Sequence, residues 1–225
     1  MKNHEIFFRM ASTLKLNSGY EMPQLGFGTW LAKPGEVERA VATAVKSGFR
    51  HVDCASIYGN ENEVRNGLKE AFDSGIKRED VFITSKLWNT FHKKDDVIPA
   101  LKRSLNDLGL EYLDLYLIHW PMGYENGGDQ SLTFPKTADG KIIFCKSSFL
   151  ETWSEMEKAV EQGLVKSIGV SNFNKGKRGC VFSMVIWPAF RMGQHRVNDH
   201  HYHAPQFRGY EIRRFSVKMV ENQRN

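Results

Sequence analysis

Four short stretches of the chain end in residues that can hold, give or take a proton: His51-Val52-Asp53, Thr84-Ser85-Lys86, Ile118-His119 and Ser171-Asn172. Each closes or directly follows a run that reads as a β-strand, so polar or ionisable groups stand at four consecutive strand C-termini. That is the end of a parallel barrel where active sites are built, and charges are rarely buried there unless they are paired or functional. Tyr58 follows Asp53 by five residues and can fold back over the same mouth. A free phenol titrates at about 10, too high for an ideal acid at neutrality. An ammonium such as that of Lys86 favours the phenolate, and a carboxylate such as that of Asp53 holds the lysine in place. His119 can donate a hydrogen bond to a carbonyl oxygen and orient it. The set suits an oxygen on which negative charge develops, as in carbonyl reduction.

Taken singly, these residues have plainer readings. Asp53 and Lys86 would be solvated surface charges, and His119 a satisfied buried histidine. Trp30, Trp88 and Trp120 would be packing, and Cys54 a small apolar residue. Their order along successive strand ends is what argues for chemistry.

The elements that must position them alternate regularly. Strands are expected over Gln24–Thr29, Arg50–Ala55, Val81–Lys86, Asp114–His119 and Val165–Val170. Helices are expected over Glu36–Ser47, Asn60–Phe72, Asp95–Leu108 and Ser148–Gln162, with Gly48, Gly75 and Gly109 as stops and Asp95 or Asp96 near an N-cap. Apolar strand interiors separated by helices mean a parallel sheet buried on both faces. A doubly wound sheet and a (β/α)8 barrel both remain open, although Gly26-Phe27-Gly28-Thr29-Trp30-Leu31 lacks the third glycine of a dinucleotide fingerprint. A hairpin, Leu14-Lys15-Leu16 with a turn at Asn17-Ser18-Gly19, precedes the first strand and can cover the bottom of a barrel. A long loop runs from Pro121 to Lys146.

Composition sets bounds on the rest. The 225 residues are 41% hydrophobic and 25% charged, ordinary for a soluble globular protein. No apolar run approaches the roughly 20 residues needed to span a bilayer, and the patch at Ile6–Phe8 is too small for a secretory signal. Translation from Met1 or from Met10 fits equally well. Three widely spaced cysteines, Cys54, Cys145 and Cys180, read as free thiols in a reducing compartment, with the cytosol as default. The net charge of +5 hides an asymmetry: residues 176–225 carry nine Lys or Arg against three Asp or Glu, while the first 175 are nearly balanced.

At this point the motifs resemble a known family. HVDCASIYGNE, FITSKLW, LDLYLIHWP and GLVKSIGVSNFN, with Leu25-Gly26-Phe27-Gly28-Thr29-Trp30, closely resemble those of the aldo-keto reductases, nearest the aldehyde and aldose reductase branch. The resemblance runs from about Leu14 to Asn174. It implies a partial (β/α)8 TIM barrel over 11–175, made of the first five strands and the hairpin. It implies NADPH-dependent reduction of aldehydes or ketones to alcohols, with a catalytic tetrad of Asp53, Tyr58, Lys86 and His119 and Tyr58 as proton donor. Gly28, Thr29, Trp30 and Asp53 match segments beside the nicotinamide, and Ser171 and Asn172 match the pair that bonds its carboxamide. Trp30, Ile57, Tyr58, Trp88, His119 and Trp120 match the substrate pocket, and the loop after Pro121 matches one that closes over substrate. No metal is implied. The partner is a small carbonyl compound.

Past Lys175 the pattern stops, and 176–225 reads as a separate basic tail. A complete barrel of this kind takes about 250 residues. The family's phosphate-binding loops follow its last two strands, so weakened cofactor binding and little turnover are expected of the chain as it stands. An open five-stranded sheet exposes two edges, which favours self-association, and Val181–Pro188 is a candidate to pair with one of them. Gly176-Lys177 can be encoded by GGT-AAG, which contains a splice-donor sequence; a retained intron predicts GTAAG at that genomic junction. The tail's aromatic and basic residues, Trp187, Arg191, Arg208, Tyr210, Arg213, Arg214 and Phe215, match no nucleic-acid-binding motif. His195, His200, His201 and His203 match no common metal spacing. The alternative to an enzyme is a non-catalytic truncated isoform that binds a protein partner through its edge or tail.

Overall fold

The computed structural model describes residues 12–129 and 131–173, and the backbone of 211–214. Two short strands come first, β1 (Thr13–Lys15) and β2 (Glu21–Pro23), antiparallel with Leu14 opposite Met22. Gly19 in their turn has φ 86°, a conformation that costs any residue with a Cβ. Strands and helices then alternate as β3 (Leu25–Gly28), α1 (Val37–Lys46), β4 (His51–Asp53), α2 (Glu61–Asp73) and β5 (Phe82–Leu87). They continue as α3 (Lys94–Leu108), β6 (Leu115–Ile118), α4 (Phe149–Glu161) and β7 (Ile168–Val170).

The expected hairpin, five strands and four helices are all present, with shorter strands. β7 starts at Ile168 because Val165 makes only an isolated bridge with Leu113 before the ladder resumes. Lys93, not an aspartate, occupies the α3 N-cap; Asp95 and Asp96 lie in the first turn, where the helix dipole favours negative charge. Gly109 closes α3 at φ 65° as expected. Ser148 caps α4 through a reciprocal arrangement with Glu151. The long loop is folded on itself by the antiparallel bridges Tyr124–Phe144 and Lys136–Ile142.

Strands β3 to β7 pair in chain order, each parallel to the next, with Val52 between Phe27 and Ile83, Thr84 opposite Leu115 and Tyr116 opposite Ile168. A doubly wound sheet reverses its direction of growth at a switch point. Here the order never reverses, and α1 packs on α2, α2 on α3 and α3 on α4. That is the first five-eighths of a singly wound barrel, and it decides between the two architectures.

Alternation along the strands sorts the side chains. Val52, Ile83, Leu87, Tyr116, Ile118 and Ile168 face the helices and join Val41, Val45, Val64, Leu68, Leu101 and Met156 in the main core. Phe82 and Leu115 face the other way and meet Leu16 and Met22 of the hairpin, which therefore plugs the lower end. Gly67 on α2 lets α1 approach closely: a Cβ there would run into the Glu38 carbonyl oxygen and Val41.

A sixth strand, β8 (Glu211–Arg214), lies antiparallel on the outer side of β3, with Leu25 opposite Arg214 and Gly28 opposite Glu211. This corrects the expectation of two open edges, because the β3 edge is paired. Val181–Pro188, the segment expected to do this, lies outside the described residues, as do Cys180 and the tail residues from Trp187 to His203 and from Arg208 to Tyr210 singled out above. Cys54 and Cys145 are free thiols, and among the described residues no helix is long and apolar enough to cross a membrane.

Candidate active site

Strand alternation puts His51 and Asp53 of β4, and Phe82, Thr84 and Lys86 of β5, on the inner face. Moving up β5, the inner residues change from Phe82 through Thr84 to Lys86. At the top, Lys86 Nζ donates to Asp53 Oδ1 at 2.7 Å, to the Cys54 carbonyl oxygen at 2.7 Å and to Tyr58 Oη at 3.3 Å. The ammonium's three donors are thus each directed at an oxygen. Asp53 is 0% and Lys86 3% exposed, so the pair is a buried charge compensated within the protein. With Tyr58 Oη accepting from the lysine, its own O–H is left as a donor.

Tyr58 ends a 3-10 turn, Ser56–Tyr58, that Gly59 closes at φ 67°. This turn folds the chain back so that a residue beyond β4 overhangs Lys86 of β5. His119, directly after β6, donates its backbone N–H to the Leu87 carbonyl oxygen at 3.1 Å. Its ring meets the Tyr58 ring edge-on at 5.9 Å and Trp88 at 5.4 Å, and lies parallel to Trp120 at 6.4 Å. The structure therefore brings Asp53, Tyr58, Lys86 and His119 together as the sequence predicts.

The residues expected on the cofactor side lie beside them. Thr29 donates through both its backbone N–H and its hydroxyl to the Asp53 carbonyl oxygen, so the segment after Gly28 is laid against the end of β4. Asn172 sits at φ 63°, a left-handed conformation that asparagine tolerates. Its Nδ2 donates to the His119 carbonyl oxygen at 2.8 Å and to Ser171 Oγ at 3.2 Å. The Ser171 O–H hydrogen and Asn172 Oδ1 remain, one donor and one acceptor side by side at the rim.

The expected pocket residues divide. Ile57 and Trp88 border a recess of about 220 Å³ whose other wall is Ala100, Arg103, Ser104 and Asp107 of α3 and which neither Tyr58 nor His119 lines, and the Trp88 indole N–H donates to the Thr133 carbonyl oxygen at 2.8 Å. Trp30 and Trp120 stand on the rim, 47% and 40% exposed, with the Trp30 ring 6.4 Å from that of Tyr58. Leu31 next to Trp30 has φ 61°, strained for a residue without a polar side chain.

Two residues that the sequence reading passed over belong to this constellation. Asn60 Nδ2 donates to the Thr29 carbonyl oxygen at 2.8 Å, and Glu61 Oε1 accepts from Ser85 Oγ at 2.7 Å. Burial pushes the Glu61 carboxyl up to about 7, against the lowering effect of the Ser85 and Ser104 hydroxyls. A signal existed for Glu61: it precedes Val64, Leu68 and Ala71 on the buried stripe of α2, where helical periodicity calls for an apolar residue.

A lysine, a carboxylate, a phenol and an imidazole thus meet at the C-terminal mouth of a singly wound parallel barrel, the end at which barrels of this class build their sites. Residues 24–178 match the family model described as the aldo/keto reductase family, and the chain belongs to that family. Among curated relatives it is 49% identical over 176 residues to mouse "Aldo-keto reductase family 1 member A1", covering 77% of this chain and 53% of that protein. The human protein of the same name is 44% identical over 215 residues, covering 92% of this chain and 64% of that protein. Among solved structures, "Structure of the Aldose Reductase from Schistosoma japonicum" superposes with a TM-score of 0.70 at 50% identity, covering 73% of this chain and 54% of that one. The aldose reductase from Giardia lamblia gives 0.64 at 47% identity, covering 66% and 49%. The chain thus spans about half to just under two thirds of the relatives it matches.

Proposed function

We propose that the chain carries the proton-donating site of an NADPH-dependent reductase of aldehydes and ketones, with Tyr58 as proton donor. The observation that supports this most is the Lys86 ammonium, which holds Asp53, the Cys54 carbonyl and Tyr58 at once. A carbonyl oxygen placed between Tyr58 and His119 receives a hydrogen bond from each and takes its proton from the phenol. Lys86 then stabilises the phenolate left behind, with Asp53 fixing the lysine. The rim rings of Trp30 and Trp120 provide apolar walls for the carbon side of such a substrate.

The residues present fit the nicotinamide half of the cofactor. A primary carboxamide needs one donor and one acceptor, which Ser171 and Asn172 supply. The Gly28–Trp30 segment lies beside Asp53, where the ring would rest. When bound, the reduced nicotinamide supplies the hydride. NADPH rather than NADH, the cytosol as the compartment and self-association through the remaining sheet edge are parts of the same proposal.

The test is oxidation of NADPH by the whole chain in the presence of an aromatic aldehyde, followed by absorbance at millimolar nucleotide to offset weak binding. Tyr58→Phe is expected to lower the rate by about 10²–10⁴-fold, the usual contribution of a general acid. Equal rates for the two proteins would reject Tyr58 as donor.

A further inference from the structure

Glu61 has a hydrogen-bonded place in the molecule that the proposed reaction does not use. It is the first residue of α2, three residues after Tyr58, and it is 5% exposed. Its carboxyl accepts from Ser85 Oγ at 2.7 Å, and Ser85 is the residue before Lys86. Ser85 faces the helices while Lys86 faces the barrel interior, because neighbouring strand residues alternate. One carboxyl therefore ties the end of the Tyr58 turn to the strand segment that carries Lys86. Its neighbour Asn60 ties the same turn to Thr29 at the end of β3. Between them, the two side chains fix the turn against the strands on both sides of β4.

We propose that Glu61 is a positioning residue for the Tyr58–Lys86 pair, setting through Ser85 the gap across which phenol and ammonium meet. The inference rests on the reading of those two residues given above. A Glu is well suited to the place, since a buried carboxyl accepts strongly from the Ser85 hydroxyl on β5. The titratable and charged groups facing it are Lys86 from β5, Asp107 from α3, the Cys54 thiol after β4 and the Tyr116 phenol of β6. Its carboxyl rises to about 7 because it is buried, so its charge changes within the working range and gives a handle on the contact. When the carboxyl ionises, the Ser85 bond becomes charge-assisted and shorter, and the β5 segment shifts relative to the turn.

The experiment uses the whole chain labelled with ¹³Cζ-tyrosine, with the Tyr58 resonance identified by its loss in Tyr58→Phe. In the unsubstituted chain the Tyr58 resonance is expected to step through about pH 7 as Glu61 ionises. Glu61→Gln keeps an acceptor for Ser85 but cannot ionise, and the step is expected to vanish. Ser85→Ala keeps the carboxyl but removes the bridge, and the step is expected to fall to less than half. No step in the unsubstituted chain, or a full step in Ser85→Ala, overturns the positioning role. The second result would mean that charge alone acts across space. Ser85→Ala removes one oxygen, so it also serves if Glu61→Gln fails to fold. Absence of carbonyl reduction with the step intact counts against the proposed reaction and leaves the positioning role standing.

Discussion

Two buried aspartates, each paired with a lysine, sit at opposite ends of the same sheet. Asp114, just before β6, accepts from Arg78 Nη2 and from the Ile83 backbone N–H with Oδ2, and from Lys166 Nζ with Oδ1, all at 2.9 Å. Arg78 and Lys166 each also lie 4.2 Å from the Tyr112 ring centroid. Nearby, His51 bonds to the Pro23 carbonyl and Thr84 Oγ1, and Ser18 bonds to Ser167. Each of these groups is bonded to another part of the protein. Asp53 at the top is bonded just as closely to Lys86, but the cluster there ends in groups with hydrogen-bonding capacity to spare: the Tyr58 hydroxyl, the Ser171 hydroxyl and Asn172 Oδ1. Exposed tryptophans surround them. A buried charge pair is therefore no mark of function in itself. What marks the upper end is hydrogen-bonding capacity left over at a mouth.

Substitutions at the two ends should separate accordingly. The largest effect is expected from Lys86→Met, which removes the cation that compensates the buried Asp53 carboxylate. It should cost about 3–5 kcal/mol of stability in urea unfolding and remove carbonyl reduction as well. Asp114→Asn breaks pairs whose cations are 19% and 29% exposed. Solvent screening reduces its cost to about 2 kcal/mol, with the upper site's ligand binding unchanged. A loss of binding in Asp114→Asn at temperatures where it is folded would erase the distinction between the two ends. Gly67→Ala, in the helix layer that both ends share, should cost about 1–3 kcal/mol through overpacking against α1.

Acid sharpens the contrast between Glu61 at the top and His51 at the bottom. Glu61 rises from 4.5 to about 7 in the fold, so the folded chain keeps a proton that the unfolded chain releases. Stability from this group falls as pH climbs from 4.5 to 7. His51 and His92 fall from 6.5 to about 4, chiefly through burial. The unfolded chain takes up two protons between 6.5 and 4, and stability is lost as pH drops through that window. Between 4.5 and 6.5 two protons oppose one, so stability should fall on acidification with a net slope of about one proton. Glu61→Gln should double that slope, read from urea midpoints at pH 5 and 6.5. The smallest effect is expected for Ser148→Ala, about 1 kcal/mol for the loss of the α4 cap.

Much of this was legible before any coordinates. Periodicity and stops gave each strand and helix to within a few residues. The tetrad stood out because Asp53, Lys86 and His119 close or directly follow successive strands, with Tyr58 five residues past the first of them, a pattern that depends only on strand period and parallel order. What stayed hidden depends on contacts between distant segments. That Asp114 holds partners from two other segments while Asp53 lies beside Tyr58 and Lys86 cannot be read from either residue's neighbours, since Arg78 and Lys166 lie 36 and 52 positions from Asp114. The barrel and the doubly wound sheet share the same element order and differ only in which edges meet. The pairing of β8 with β3 was missed because that segment carries no alternating apolar pattern, and backbone pairing at an edge requires none.

The groups left over at the upper end are proposed to receive a nicotinamide and a carbonyl. NADPH fluorescence titrated against the whole folded chain tests this most directly. The expected result is a saturable change that Asn172→Ala weakens at least tenfold and Asp114→Asn leaves alone. A flat titration from a folded, monodisperse sample, or equal affinity in Asn172→Ala, would contradict it.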